Sequence, residues 1–332
     1  MQAVCPEIEW REVKVGRYVE TDTRYHPSAE QLALASTISE SLDELLPLSR
    51  LHASHQEDDK TWKSLEDIGI FGIGVSEALG GSGLGPVEEA LIVMSLGRRL
   101  ASPGVLATVG AAQMIAEAAA LRGKRAAAGY RRGDRVVIVD EPGATIVLVR
   151  DGGAALYQSR AGSTTTVEDR LWLAALRETA DAGGPLAQFD RSQLTRLRLI
   201  DAAALAGIAE AALEMGVAYA GIRQQFGHPI GSFQAVKHHC ANMAIGARCA
   251  RDQTNFAAVA LEEGRADAHL QVECAFLVAG TAALENAAKN IQIHGGMGFS
   301  DEADPHLFLK RAQLMIAIAG GLEASSGRIA GM

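Results

Sequence analysis

From Ser28 onward apolar residues recur at steps of three and four along the chain. Leu32, Leu34, Ile38, Leu42 and Leu45 predict a first helix, which Ser28 caps with Gln31 reaching back and which Pro47 ends. Trp62, Leu65 and Ile68 mark a second. Gly69 to Val75 then leads into the glycine-rich turn Gly80-Gly81-Ser82-Gly83-Leu84-Gly85, and Pro86 opens a third helix at the first-turn position that proline tolerates. That turn lacks the Lys-Ser/Thr ending of a phosphate loop and follows no clear strand, so it reads as an inter-helix turn. After Pro103 and Gly104 a further alanine-rich helix runs to about Leu121. Between about Gly129 and Pro185 the pattern changes to short β-branched runs, Val136–Val139 and Thr145–Val149, separated by Asp-Glu-Pro-Gly and Asp-Gly-Gly turns. Helical periodicity returns with Leu194, Leu197, Leu205, Ile208, Met215, Tyr219 and Ile222, and continues through Gly231 to about Glu263, Ala266 to Ile293 and two shorter helices.

These patterns predict a mainly α protein. The expected order is an extension over 1–27 with a candidate strand at Val13–Val19, a helical domain over 28–128, a reduced β domain over 129–190, and an antiparallel four-helix bundle over 191–332. Of 332 residues, 48% are hydrophobic and only 5% aromatic, which suits alanine-rich packed helices. The formal net charge of −9 argues against nucleic acid as the main partner. Cys5, Cys240, Cys249 and Cys274 have no close-paired zinc spacing and read as reduced thiols, pointing to the cytoplasm. No stretch approaches the ~18–20 apolar residues of a membrane span, and the first residues lack a leader's apolar centre.

Two C-terminal segments carry candidate chemistry. In Arg223-Gln224-Gln225-Phe226-Gly227-His228-Pro229-Ile230-Gly231-Ser232-Phe233-Gln234, Arg223 offers a planar, permanently charged fork suited to a pyrophosphate, and Phe226 can pack against an adenine or inside the bundle. In Gln292-Ile293-His294-Gly295-Gly296-Met297-Gly298-Phe299, Gln292 supplies amide donors and acceptors. Gly295 and Gly296 let backbone approach a ligand where a Cβ would collide. Plainer readings stand beside these: Arg223 as a surface ion pair, Phe226 as ordinary core, Gly295-Gly296 as a helix stop.

Together with Trp62-Lys63-Ser64-Leu65, Gly69-Ile70-Phe71-Gly72-Ile73, Glu77 and the Gly80–Gly85 turn, these segments resemble the acyl-CoA dehydrogenase family over nearly the whole chain after residue 28. The resemblance implies that Arg223, Gln225, Phe226, Gln292, Gly295 and Gly296 reach the ADP portion of FAD held by a neighbouring subunit. It also implies a reaction in which a carboxylate takes the α-proton of an acyl thioester while the flavin accepts the β-hydrogen as hydride.

The base is missing from both of the family's positions. Gly320, in Ile318-Ala319-Gly320-Gly321-Leu322, stands at one, and Leu197, counted back from Arg223, stands at the other. Arg198, which follows Leu197, matches an arginine that the family keeps near the acyl-CoA site and is a substrate-site candidate. Glu210, Glu214 and Glu323 are the available displaced carboxylates, each reading more simply as a solvated or capping acid. The middle segment is too short for the family's flavin-ring stretch; Asp140-Glu141-Pro142-Gly143 reads as a β-turn and Trp172 as packing.

This pattern resembles the shortened subunits of heterotetrameric acyl-CoA dehydrogenases of β-oxidation. The expected partner is a full-length homologue that supplies the base, the flavin-ring wall and most of the acyl pocket, with a further protein as electron acceptor. The expected substrate is an acyl-CoA with a bulky steroid side chain. A self-sufficient homo-oligomer using Glu323, and a scaffold that touches no cofactor, are the alternatives.

Overall fold

A computed structural model describes residues 24–54, 56–118, 121–139, 141–159, 173–179 and 183–331. Cys5, Val13–Val19, Asp140 and Trp172 lie outside the described residues.

The first helix, α1 (Ala29–Leu45), begins where the capping pattern places it: the Gln31 amide donates to Ser28 Oγ at 3.2 Å and the Ser28 amide to Gln31 Oε1 at 2.9 Å. Its buried positions are Gln31, Ala35 and Leu42, with Ile38 and Leu45 packed on the core, while Leu32 and Leu34 of the expected stripe face outward. In α2 (Asp59–Asp67) Trp62 is buried between the Phe71 ring, 4.7 Å away between centroids, and the Arg125 guanidinium at 4.6 Å. The glycine-rich loop folds back on the segment of short 3-10 turns before it. The Ser82, Gly83 and Leu84 amides donate to the carbonyls of Gly72, Val75 and Ile73 at 2.8–3.0 Å. These donors are thus spent inside the turn, in keeping with its reading as a connector.

The next helix, α3 (Pro86–Arg98), carries Pro86 at its first position, and α4 (Pro103–Glu117) is capped by Ser102. Among the described residues six strands follow: β1 (Arg125–Arg132), β2 (Arg135–Val139), β3 (Ala144–Arg150), β4 (Ala154–Gln158), β5 (Leu176–Thr179) and β6 (Ala187–Gln188). They form one sheet in the order β5-β2-β1-β3-β4-β6. The sheet is richer than the two β-branched runs suggested. Its inner strand β1 is mostly alanine and arginine, and it begins inside the stretch expected to be helical domain. Pairing with β2 on one side and β3 on the other overrides its weak strand propensity. The expected β-turn is present, with the Ala144 amide donating to the Glu141 carbonyl at 3.1 Å and Gly143 at φ +75°.

The C-terminal helices are α5 (Arg191–Ile222), α6 (Gln234–Glu262), α7 (Ala268–His294), α8 (Pro305–Ile318) and α9 (Leu322–Ala330). Central α7 packs on α5, α6, α8 and α9. Small residues from Ala202 to Gly207 on α5 let α3 approach to backbone contact. The α5 stripe leaves the core at its end, where Ile222 is exposed. Beyond it a two-rung hairpin, β7 (Gln224–Gln225) and β8 (His228–Pro229), turns through Phe226 at φ +52° and Gly227 at φ +80°. Among the described residues no helix is long and apolar enough to cross a membrane.

Candidate functional site

At the α5–α6 end of the bundle, the Arg223 amide ends α5 by donating to the Tyr219 carbonyl at 2.9 Å, and its carbonyl accepts from the Ile230 amide at 2.7 Å. With its backbone so fixed, the exposed Arg223 side chain makes no hydrogen bond or ion pair among the described residues. Opposite it, α7 stops at Gly295, whose φ of 62° and ψ of −137° only glycine adopts readily. Arg223, Gln225, Gly295 and Gly296 line one open groove of about 500 Å³ with Tyr219 and His294, whose rings stack at 4.0 Å. A Cβ built on Gly295 or Gly296 would meet no other atom within 4 Å.

Gln292 and Phe226 do not line this groove. Gln292 is exposed farther back on α7, and Phe226 is 90% exposed at the hairpin tip, edge-on to Phe233 at 6.2 Å. The ordinary-core reading of Phe226 is therefore wrong, and so is the ion-pair reading of Arg223. The helix-stop reading holds for Gly295. Ile222, Phe226, Met297 and Phe299 together leave this end of the bundle apolar and exposed. An unpaired guanidinium, an amide side chain and Cβ-free backbone form a donor set that fits the pyrophosphate of a dinucleotide.

A second concavity lies between the sheet and helices α5, α7, α8 and α9. Its volume is about 420 Å³, and both Leu197 and Gly320 line it. Arg198 reaches into the same wall, where its Nη1 donates to the Ala319 carbonyl at 2.8 Å and its guanidinium lies 4.3 Å from the Phe276 ring centre. The two positions where the sequence reading expects a base thus converge here, and neither Leu197 nor Gly320 bears a group that takes a proton.

Two other carboxylates line this cavity, Asp201 and Glu273. Asp201 is paired with Arg150, and Arg198 Nη1 lies 3.8 Å from it. Glu273 accepts from Arg328 Nε at 3.0 Å and Nη2 at 3.1 Å, and from the Ser325 hydroxyl. Burial by itself would raise the Glu273 carboxyl, but the Arg328 and Ser325 hydrogen bonds and the Arg198 charge outweigh it, holding the group below the ordinary carboxylate range. Sequence reasoning overlooked both acids. Asp201 was within reach, one helical turn beyond Leu197 on the same face, whereas no local pattern leads to Glu273 on α7.

The displaced carboxylates singled out from the sequence lie elsewhere. Glu210 is buried rather than solvated, bridging Arg98 at 3.2 Å and Arg251. Glu214 pairs with Arg98 at 2.6 Å, and Glu323 is an exposed acid in the first turn of α9. Among the described residues no group of three or more acidic, histidine or cysteine side chains is placed to hold a metal ion.

Residues 28–126 match the family model "Acyl-CoA dehydrogenase, N-terminal domain", and residues 181–331 match "Acyl-CoA dehydrogenase, C-terminal domain". The chain is 33% identical over 297 residues to acyl-CoA dehydrogenase FadE34 of Mycobacterium tuberculosis, a match covering 80% of this chain and 40% of that protein. It is 32% identical over 266 residues to acyl-CoA dehydrogenase IpdE2 of the same organism, covering 77% of this chain and 80% of IpdE2. In fold it is similar to a chain of the ChsE4-ChsE5 complex from Mycobacterium tuberculosis, with a TM-score of 0.71, 22% identity, and coverage of 93% of this chain and 98% of that one.

Proposed function

The chain belongs to the acyl-CoA dehydrogenase family of FAD-dependent oxidoreductases, and from that premise we propose that it is the subunit without a catalytic base in a two-gene dehydrogenase. In this reading it lends Arg223, Gln225, Phe226, Gln292, Gly295 and Gly296 to the ADP portion of a dinucleotide seated mainly in a full-length homologous partner. FAD, when bound, accepts the β-hydrogen as hydride. This chain's part is to neutralise the pyrophosphate with Arg223, to admit it beside Gly295 and Gly296, and to cover it from water with the apolar tip. The partner brings the carboxylate that takes the α-proton. The electron acceptor is a separate protein, and the three described cysteines, all unpaired thiols, suit the cytoplasm.

The observation that carries this reading is the bundle tip. Phe226 sits at a positive φ that costs a bulky residue on the order of 1–3 kcal/mol, and it does so while 90% exposed beside an unpaired guanidinium. The hairpin turn requires the positive φ, but a glycine or asparagine would supply it at lower cost; an exposed phenylalanine there suits a surface that another molecule covers. The similarity to a chain of the ChsE4-ChsE5 complex points the same way, as does the absence of a proton acceptor at Leu197 and Gly320.

The test is co-expression with a full-length homologue from the same genome, followed by the visible flavin spectrum of the purified complex. Arg223→Ala lowers bound flavin per complex by about tenfold or more, the scale expected for losing a charge-assisted contact. Unchanged flavin and activity would favour the scaffold reading, and turnover of an acyl-CoA by this chain alone would favour the self-sufficient one. A thioester panel that includes steroid side-chain acyl-CoAs then identifies the substrate.

A further inference from the structure

The cavity beneath Leu197 and Gly320 has an unbalanced charge. Its inner wall sets three guanidiniums, Arg150, Arg198 and Arg328, against the two carboxylates Asp201 and Glu273. Around the opening, Arg131 pairs with Asp151 at 3.2 Å, so this rim pair cancels. Arg191, at the first position of α5, is exposed and forms no ion pair among the described residues. His269, hydrogen-bonded to Thr195 Oγ1 at 3.1 Å, completes the wall on the α7 side. The lining therefore carries two more positive than negative charges, before any proton on His269 is counted.

Of the three inner guanidiniums, Arg198 is the one without a close carboxylate of its own. Asp201 and Glu273, its carboxylate neighbours among the described residues, stand 3.8 and 3.6 Å away, and each is already engaged by another arginine. Burial, reinforced by the Arg150 and Arg328 charges, outweighs both and lowers the stability of the Arg198 cation. A partly buried cation without a full counter-charge is unfavourable, and an anion beside it offsets that penalty. The lining glycines leave room for one: Gly152, Gly153 and Gly320 place no side chain in the cavity, and a Cβ on any of them would meet nothing within 4 Å. At about 420 Å³ the space exceeds that of a bare ion and lies in the range of small-molecule sites.

We infer that this cavity binds a small organic oxyanion, drawn past Arg191 and held against Arg198. The site is separate from the bundle tip, and flavin retention does not depend on it.

The experiment is isothermal calorimetry on the purified full chain in whatever assembly it forms, titrated with succinate, with inorganic phosphate, and with chloride at matched ionic strength. Succinate or phosphate is taken up saturably at a single site, about tenfold more weakly in Arg191→Gln and in Arg198→Gln. Saturation by succinate identifies a carboxylate ligand, and saturation by phosphate alone a phosphate ester. Heats no larger than those of chloride, or affinities unchanged in both variants, overturn the inference. Arg191 is exposed, so Arg191→Gln keeps the fold and remains decisive even if Arg198→Gln fails to fold. Arg223→Ala, which tests the bundle tip, leaves this uptake unchanged.

Discussion

Leu197, inside α5, and Gly320, just past the end of α8, line one cavity although most of the bundle separates them in sequence. The cavity's existing carboxylates are engaged by arginines, and Gly320 itself is held by the backbone. It ends α8 at φ +90°, its amide donating to the Ala317 carbonyl at 3.1 Å and that of Gly321 to Ile316 at 2.9 Å. Any L side chain at this position strains the turn.

Gly320→Ala is expected to destabilise the chain by about 1 kcal/mol, although the new Cβ touches nothing. Thermal unfolding measures it. A melting temperature equal to the parent's would show that the turn relaxes, and would reopen this position to a functional side chain.

The α3–α5 crossing is stricter. A Cβ on Gly97 would lie 2.1 Å from the Ala204 carbonyl oxygen, and one on Gly207 would lie 2.0 Å from that of Met94. Each contact is with backbone, which cannot swing aside. Gly97→Ala and Gly207→Ala are each expected to cost roughly 2 kcal/mol or more in denaturant unfolding. Gly221→Ala, on the same α5 but facing open space, is the control and should gain up to about 1 kcal/mol. Equal effects at all three positions would mean that the helices do not meet as described.

The helical architecture was legible because its signals are local. Ser28 with Gln31, Pro86, and the recurrence of apolar residues along α5 each fix an element without help from distant parts of the chain. Strand β1 was not legible, since Arg-Ala-Ala-Ala-Gly-Tyr-Arg-Arg has no alternation, and only β2 and β3 on either side make it a strand. Arg223, Gln225, Gly295 and Gly296, which line one groove, stood out in the sequence because their motifs are compact. The second cavity was half foreseen. Leu197, Arg198 and Gly320 were named, but its carboxylates answer to arginines on other elements, a relation that no spacing along the chain records.

Gly295 and Gly296 separate backbone from ligand effects. Gly295 needs its positive φ to end α7, whereas Gly296 has no such requirement and only open space before it. Gly295→Ala should therefore lower stability by about 1 kcal/mol or more. Gly296→Ala should leave the melting temperature of the isolated chain alone and reduce flavin in the co-expressed complex. Full flavin retention with Gly296→Ala would remove this glycine from the proposed contact.

A buried acid lies far from both sites. Glu141, at the β2–β3 turn, accepts from the Ser102 hydroxyl at 2.9 Å, while Glu57 nearby accepts from the Ser102 amide at 3.2 Å and pairs with Arg50 at 3.0 Å. Burial, and then the Glu57 charge, push the Glu141 carboxyl up to about 8 against the weaker pull of Ser102, Arg311 and Arg125. The folded chain thus keeps a proton that the unfolded chain, with an ordinary value of 4.5, gives up in mildly acid solution. Between these values the folded state binds more protons, so its stability falls as pH rises, most of the loss being complete by about pH 8. Glu141→Gln fixes the neutral form with nearly the same shape. In denaturant unfolding across this range, the parent should lose stability relative to Glu141→Gln with rising pH, the variant being the more stable of the two above pH 8. A constant difference between the two across the whole range would show that Glu141 is charged in the folded chain, and that Arg311 and Arg125 compensate it more fully than its burial allows.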